Sequence, residues 1–562
     1  MTRYDTLIKN GTVIDGRRTP RLRADLAIKD GKVAAIGKLH PGDAERTLDA
    51  DGLIVAPGFV DLHTHYDAQL FWDPYCSISG LHGVTSVVIG NCGYGFAPVR
   101  PAMREAAMRT LTRVEQISYD SMRLSLPWTW ESFPEFVDAV ESTPKGVNVL
   151  PYMGVNPLLT YVMGEKEAKA RHATDEENTE IARIFDEALA AGACGWSALR
   201  CPPDSYSSVH RDHDGTSFAS DLMSNETALA LGRVMARRNA GFMELTMVSN
   251  DPAADIAHME ELARVSGRPI IWNTLVVDGA DPERHRMAMA WFDSCRERGL
   301  PLYCQATTTD VSMPFTLDVW NLWDANPAWQ QALTGTVEER ITALSDPRTR
   351  KALKKENVVL FPLRLVTLIR TELVEYTAYE GKLLPEIADA VGRDLVDVFL
   401  DISIAEQLRT QWRVDLLEPD SSLLREVIQH PWMIPGVSDG GAHSKMLTSG
   451  RFPTEHIETY VREYQWISLE EMHWKLSAFP AWVAGFKNRG TLVEGAPADI
   501  VVYDYENLRS LPEEISHDLP GGDWRRTRRA EGYRHILVNG EITYTDGTCT
   551  GATPGRLLRH GG

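Results

Sequence analysis

The sequence predicts an α/β protein built on a closed (β/α)8 barrel of TIM type, with a small β-sandwich formed by both chain ends and a helical insertion between strands seven and eight. Three observations lead there. Eight apolar, strand-like runs recur between residues 59 and 441, several separated by amphipathic stretches, and such alternation builds a parallel sheet. Both chain ends read instead as short alternating strands joined by Asn-Gly and Asp-Gly turns. The spacing of the eight runs breaks once, across residues 308–432, which is too long for a structureless loop.

Taken in order, Thr6–Gly16 holds two alternating runs around Asn10-Gly11 and predicts a hairpin. Asp25–Ile28 and Lys32–Ile36 predict a second around Asp30-Gly31. The eight barrel strands are expected at Phe59–His65, Thr85–Cys92, Val147–Gly154, Cys194–Arg200, Gly241–Met247, Pro269–Leu275, Pro301–Thr307 and Met433–Gly441. Helical stretches Asp175–Ala191, Glu226–Asn239 and Asp281–Arg298 fall between them. An open, doubly wound sheet is the alternative, and no G-x-G-x-x-G follows any of the strands, which weakens it. The long gap holds helical material at Pro385–Ile404 and Ser421–Gln429 and reads as a subdomain over the barrel mouth. Asp499–Asp504 and His535–Ile542 return to the strand pattern. The expected domains are therefore 1–56 with 490–562 as the sandwich, and 57–489 as the barrel with an insertion at about 310–430.

Composition excludes several classes of partner. The formal net charge of -20 repels nucleic acid and anionic lipid. Arg525, Arg526, Arg528 and Arg529 form a local cluster beside Gly521-Gly522 and read as a solvated loop face. The seven cysteines are odd in number and contain no C-x-x-C pair, which favours free thiols in a reducing compartment. No apolar segment follows the N-terminal residues and no run approaches the ~20 residues that span a bilayer. The expectation is a soluble, cytoplasmic protein with a small-molecule substrate and no nucleic acid or membrane partner; a homo-oligomer is compatible with it.

The chemistry lies at the strand ends, where barrels of this kind carry their sites. His63 and His65 are two apart at the end of an apolar run, so one strand end can offer both to a metal ion. Strand two ends in Gly90-Asn91-Cys92-Gly93 and brings a thiol to the same mouth; the bland reading of Cys92 is a small buried hydrophobe. Strand eight ends in Ser438-Asp439-Gly440-Gly441, and Asp439 there can ligate a metal and exchange a proton with water, or simply shape a turn. Trp128, Trp130, Trp320, Trp323 and Trp329 are candidates for an aromatic substrate pocket, with core packing as the competing reading.

The chain resembles the amidohydrolase superfamily, and within it the D-aminoacylase (N-acyl-D-amino-acid deacylase) branch. The resemblance spans nearly the whole chain. It rests on Ile8–Gly11, Ala56–His65, Gly83–Gly93, Ser438–Gly440, Gly490–Val502 and Gly551–Arg556, and the asparagine-cysteine-glycine step at 91–93 points to the branch. It implies a zinc centre surrounded by His63, His65, Cys92 and Asp439. The sequence also departs from the family. Strands five and six ordinarily end in histidines that complete a second metal position, and Thr246 and Asn273 stand there. Leu275 stands where the family has a lysine that meets the substrate carboxylate. Threonine and asparagine are poor zinc ligands. Glu244, of the same strand parity as Thr246, and His443 are candidates for the surroundings of the metal or for ligation. His210 and His213 lie in a polar loop after strand four and read as surface residues with substrate contact as the alternative.

The expected function is a metal-dependent amidohydrolase that cleaves the amide of an N-acyl amino acid or related small molecule. It would use one zinc per chain, with another divalent metal as the alternative, and Asp439 as the catalytic residue. A mononuclear-metal lactone or cyclic-amide hydrolase or decarboxylase is one alternative. A non-catalytic binding homologue with a decayed site is the other.

Overall fold

The computed structural model describes all residues except 1–2, 206–210, 310–311, 319–321, 325, 357–360, 416–420, 447, 487 and 561–562. Eight strands follow one another in chain order: Phe59–Asp61, Val84–Ile89, Asn148–Gly154, Gly195–Arg200, Phe242–Met247, Ile270–Leu275, Leu302–Ala306 and Met433–Pro435. Every neighbouring pair is parallel. A parallel bridge between Thr64 and Gly440 joins strand eight back to strand one, and the His65 N–H donates to the Gly440 carbonyl at 2.7 Å. The ring is thus a (β/α)8 barrel; seven strands fall within the expected runs, and strand two begins one residue earlier, at Val84. Strands one and eight are shorter than expected. Beyond Asp61 and Pro435 only the single bridge continues, because both segments turn there to present side chains at the mouth.

The strands are continuous apolar runs because both of their faces are covered. One contiguous cluster draws on Val60, Val88, Leu150, Phe242, Ile271 and Ile434. Side chains from opposite sides of a ring touch only through its lumen, so this layer fills the barrel. Glu244 and Asn273 stand two residues beyond Phe242 and Ile271, which aims them into the lumen above that layer. On the outer face, Asp175–Ala191 starts with a capping box between Thr174 and Glu177. It buries Ile181, Ile184, Phe185 and Ala188, the i, i+3, i+4, i+7 stripe of a helix laid on a sheet.

Strands from both chain ends hydrogen-bond into one nine-stranded sheet, joined where Ile54–Pro57 runs antiparallel to Ile500–Tyr503. Ile8, Leu26, Ile28, Val55, Ile500, Val502 and Leu537 share its core. The turn at Asp30-Gly31 forms as expected, with both residues in the left-handed region. The hairpin expected at Asn10-Gly11 does not form. Tyr4–Val13 is one strand with a bulge between Ile8 and Gly11, and Asn10 uses its left-handed conformation (φ 62°) for that bulge. The strand has a reason to continue: its far end pairs in parallel with Ile54–Pro57, and a Cβ on Gly11 would meet Val55 Cγ2 at 2.5 Å.

The segment between strands seven and eight contains helices, among them Val337–Ser345, Leu384–Val391 and Leu395–Ala405. It also contains a three-stranded antiparallel sheet of Ser312–Phe315, Gln411–Asp415 and Val366–Arg370, which periodicity did not suggest. Trp323, Trp329, Phe399 and Trp412 lie at the centre of its own core. Ser421–Gln429 packs elsewhere, placing Val427 and Ile428 in the barrel core just before strand eight. The expected aromatic pocket is corrected accordingly. Trp323 and Trp329 are fully buried in the insertion, and Trp130 is buried in the barrel core with its Nε1–H on the Phe96 carbonyl. Trp128 is half-buried against Trp130, and Trp320 lies outside the described residues.

The arginine cluster is corrected as well. Arg525 and Arg526 are 6% and 7% exposed rather than solvated. They lie on Arg525–Thr527, half of a short hairpin with Glu514–Ser516 that leaves the terminal sheet and crosses to the barrel mouth. Among the described residues, no helix is long and apolar enough to cross a membrane.

Candidate metal centre

His63 and His65 flank Thr64, whose N–H and hydroxyl both donate to the Val88 carbonyl of strand two (3.2 and 2.6 Å). The Asn91 amide donates to the Thr64 carbonyl at 3.0 Å, and Ser438 Oγ donates to the His63 carbonyl at 2.9 Å. The pair is therefore pinned from strands two and eight at once. Gly441 must be glycine here: its φ is 91°, and a Cβ would lie 2.7 Å from the His65 carbonyl oxygen. The two imidazoles are 3% exposed, with ring centroids 5.4 Å apart.

Strand two turns sharply after Ile89. Gly90 is left-handed, and so is Cys92 (φ 56°), a conformation that costs a non-glycine residue about 1–2 kcal/mol. The compensation is local, because the Cys92 N–H donates to Glu244 Oε2 at 2.8 Å. Cys92 Sγ then lies 3.5 Å from His63 Nε2, and His63, His65 and Cys92 each offer a ligand atom within 4.8 Å of the others. Asp439 Oδ1 lies 3.2 Å from His63 Nε2 and 3.7 Å from His65 Nε2. The Asp439 side chain keeps 26% of its exposure where the histidines keep 3%, so it and the partly buried Cys92 are the members of the set nearest to incoming molecules.

The other candidates surround this set. Glu244 Oε1 accepts from the Asn273 amide at 3.2 Å and from Thr246 Oγ1 at 3.4 Å. The Asn273 amide lies 2.8 Å from His63 Nδ1, the nitrogen turned away from Cys92. Thr246 also gives its hydroxyl to the Asn273 carbonyl at 2.6 Å, and Leu275 is buried in the core. His443 Nε2 pairs at 3.3 Å with Glu115 Oε2, and its backbone N–H bonds the Glu115 carbonyl. Glu115 is 4% exposed, with Oε1 3.8 Å from His65 Nδ1. No sequence signal marked it, since it closes an ordinary helix, Arg104–Glu115. His210 lies outside the described residues. His213 pairs with Asp212 at 3.0 Å. Glu165, Asp212 and His213 also cluster, but the Lys169 ammonium fills that place, 2.6 Å from Asp212 and 3.0 Å from Glu165.

The electrostatics are those of a place that lacks positive charge. Burial pushes the Glu115 carboxyl well up, and the charges of Asp439, Asp67 and Glu244 add to it. Burial likewise raises Glu244, and it raises the Cys92 thiol, with help from Glu244, Glu115 and Asp439. Asp61, which accepts from the His63 N–H, and Asp67 are each pushed up to about 7 by burial. Burial also opposes ionisation of Asp439, yet the hydrogen bonds and charges of His63 and His65 hold its carboxyl well below the usual range. Burial disfavours the His63 cation, and Asp439 and Glu244 outweigh that and raise it; His65 is lowered by burial.

These residues fit a divalent metal ion. Two imidazoles and a thiol converge, a carboxylate stands beside them, and among the described residues the ion pairs of Asp439 and Glu115 go to histidines, none to Lys or Arg. A buried group of acids that has only titratable partners is stabilised by a cation. Zinc is matched by an imidazole and thiolate donor set.

Comparison with known proteins agrees with this reading of the chain. The model of the Amidohydrolase family matches residues 46–544. D-aminoacylase of Alcaligenes xylosoxydans xylosoxydans is 29% identical over 560 residues, covering 99% of this chain and 97% of the relative. N-acyl-D-glutamate deacylase of the same organism is 28% identical over 563 residues, with the same coverage of 99% and 97%. Among solved structures, N-acyl-D-glutamate deacylase from Bordetella bronchiseptica superposes with a TM-score of 0.68 at 23% identity, covering 99% of this chain and 100% of that one. The chain belongs to the amidohydrolase family, in its D-aminoacylase-like branch.

Proposed function

We propose that this protein hydrolyses the amide bond of an N-acyl amino acid or a closely related small molecule, using one zinc ion per chain held by His63, His65, Cys92 and Asp439. The observation that carries the reading is the convergence of His63, His65 and Cys92, with Asp439 3.2 Å from His63 at the open side of the set. The two full-length relatives are named as deacylases of D-amino acid derivatives. The superposed Bordetella enzyme is described in complex with zinc and a phosphonate inhibitor.

His63, His65, Cys92 and Asp439 would hold the zinc ion, which when bound would supply a water of lowered pKa and polarisation of the amide carbonyl. The protein's own groups do the rest. Asp439 is ionised at neutral pH, so it accepts the proton of the attacking water. It then delivers that proton to the leaving nitrogen. Asn273 stands within hydrogen-bond distance of His63 Nδ1 and fixes how that ring is turned, and the Glu115 carboxylate lies 3.8 Å from His65 Nδ1. A single ion is favoured because Thr246 and Asn273, which are poor zinc ligands, stand where a second ion would need imidazoles, and the Asn273 amide nitrogen and the Thr246 hydroxyl are turned to His63, Glu244 and backbone.

A lactone or cyclic amide is the second reading, favoured by Leu275, which leaves no cation at the place where the family meets the substrate carboxylate. Metal analysis and a panel of N-acyl amino acids, lactones and cyclic amides separate the cases. The expected result is one zinc per chain, turnover of N-acyl amino acids, and loss of about a thousandfold or more in kcat for Asp439→Asn with its metal retained. Full activity in Asp439→Asn overturns the mechanism, and two zinc ions per chain overturn the stoichiometry.

A further inference from the structure

Asp439 opens a turn that is strained at both of its ends. Asp439 and His443 are left-handed (φ 46° and 47°), a costly conformation for residues other than glycine, and Gly441 between them has φ 91°. Inside the turn the Ala442 N–H donates to the Asp439 carbonyl at 2.9 Å, and the Met446 N–H donates to the His443 carbonyl at 2.7 Å. Strained backbone of this kind persists only where its surroundings over-determine it. The surroundings here are the last turn of the helix Arg104–Glu115. The His443 N–H donates to the Glu115 carbonyl, and His443 Nε2 lies 3.3 Å from Glu115 Oε2, so main chain and side chain of Glu115 both hold His443. Ser444 Oγ donates at 3.4 Å to the carbonyl of Gln116, the left-handed residue that ends the helix. Helix stability does not account for Glu115. A carboxylate in the last helical turn opposes the helix dipole, and this one is 4% exposed.

The same helix end is tied to the insertion between strands seven and eight. Arg113, two residues before Glu115, donates to Asp324 Oδ1 at 2.7 Å and to the Leu333 carbonyl at 3.4 Å. That ion pair is buried, with side chains 7% and 3% exposed. Met446, at the far end of the turn, lies in the core of the insertion. We propose that Glu115 and His443 are positioning residues for Asp439, and that the buried Arg113–Asp324 pair makes their hold depend on the seating of the insertion. The inference rests on the amide-hydrolase reading above, in which Asp439 moves the proton. His443 is four residues from Asp439 across a tight turn, so a displaced His443 rotates the turn and carries the Asp439 carboxylate away from His63 and His65. A displacement of about 1 Å at a reacting group costs on the order of a hundredfold in rate.

The test uses the zinc-loaded full chain and the N-acyl amino acid it turns over best. His443→Asn keeps a residue that tolerates the left-handed conformation but no longer reaches Glu115. It is expected to lower kcat about tenfold to a hundredfold, with KM within about threefold and zinc content unchanged. Glu115→Gln keeps the size, removes the charge and is expected to do the same. The double variant should lose no more kcat than the worse of the two, because both break one contact. A readout that needs no turnover is amide hydrogen exchange of residues 440–446 in the chelated protein. It is expected to quicken about tenfold or more in His443→Asn, and also in Asp324→Asn, which weakens the distant pair with Arg113. Glu115→Asp and Arg113→Lys take the place of Glu115→Gln and Asp324→Asn if either fails to fold. Wild-type kcat in His443→Asn, or losses that multiply in the double variant, overturn the positioning role. Unchanged exchange in folded Asp324→Asn overturns the link to the insertion. Absence of turnover on every N-acyl substrate overturns the hydrolase reading, and unchanged exchange in His443→Asn would then overturn the hold on the turn as well.

Discussion

Glu244 shows how one residue holds two parts of the site in place. Its two carboxylate oxygens face N–H donors, the Cys92 backbone at 2.8 Å and the Asn273 amide at 3.2 Å. Gln at this position keeps the shape but turns one acceptor into a donor, so two donors oppose each other in a buried place. That costs about 1–3 kcal/mol, and it falls on the left-handed turn that aims the Cys92 sulfur. Glu244→Gln is therefore expected to weaken zinc about 10- to 100-fold, measured by competition with a chromophoric chelator. Unchanged affinity would show that Cys92 does not depend on Glu244 for its position. His63, His65, Cys92 and Asp439 were legible in the sequence because each follows an apolar strand and adjoins a glycine or a second ligand. Glu115 was not, because a carboxylate at the end of an amphipathic helix looks like a solvated one until the fold brings His65 and His443 to it.

Among the elements, the eight barrel strands were legible because a strand covered on both faces writes itself as an unbroken apolar run. The Asn10-Gly11 bulge was not, since local turn chemistry favours a hairpin and only a distant strand, Ile54–Pro57, decides otherwise. The arginine hairpin was hidden for a similar reason: its partners are spread over the whole chain. The Arg526 N–H donates to the Ser444 carbonyl at 2.8 Å, and its guanidinium donates to the Lys445 carbonyl at 3.0 Å and Gln411 Oε1 at 2.7 Å. Arg525 reaches the Ser77 carbonyl at 3.2 Å. One short hairpin thus ties the segment just after Asp439 to the insertion and to the loop after strand one, and it borders the small hollow beside Asp439. Arg526→Met keeps the aliphatic stem and removes the ties. It is expected to lower kcat on the order of tenfold to a hundredfold through a misplaced Asp439, with zinc content unchanged. Wild-type kcat in Arg526→Met would reduce the hairpin to surface structure.

Across the whole molecule, barrel and terminal sheet meet through histidines that must stay neutral. His82, in the segment between strands one and two, places Nδ1 2.8 Å from Thr454 Oγ1 and Nε2 3.1 Å from the Arg528 carbonyl. His473 lies between the rings of Phe59 and Tyr503 with Nε2 2.8 Å from the Tyr503 hydroxyl. His456, within the barrel rather than at this seam, meets Thr308 Oγ1 at 2.8 Å. All three are fully buried, and burial lowers each to about 3. The unfolded chain titrates them near 6.5. Between pH 6.5 and 3 the unfolded state therefore binds protons at these histidines that the folded state refuses, so their contribution to stability falls as pH drops through that window, while Asp61 and Asp67, pushed up to about 7, take up protons in the folded state and act in the opposite direction. Each histidine contributes roughly 1.4 kcal/mol per pH unit, or about 4 kcal/mol per unit for the three, against a total of about 5–15 kcal/mol for a typical domain. Because acids and histidines oppose each other over this range, the histidine contribution is read as the difference in urea midpoint between the chelated protein and His473→Gln at pH 8, 7, 6 and 5. Chelation matters because loss of zinc from His63 and His65 would add its own acid dependence. His473→Gln is expected to destabilise the protein at pH 8, where it only loses packing and a hydrogen bond, yet to lessen the loss of stability per pH unit below 6.5 by about one proton, roughly 1.4 kcal/mol. A slope unchanged in His473→Gln would mean that His473 accepts charge in the folded protein and that acid stability is set elsewhere.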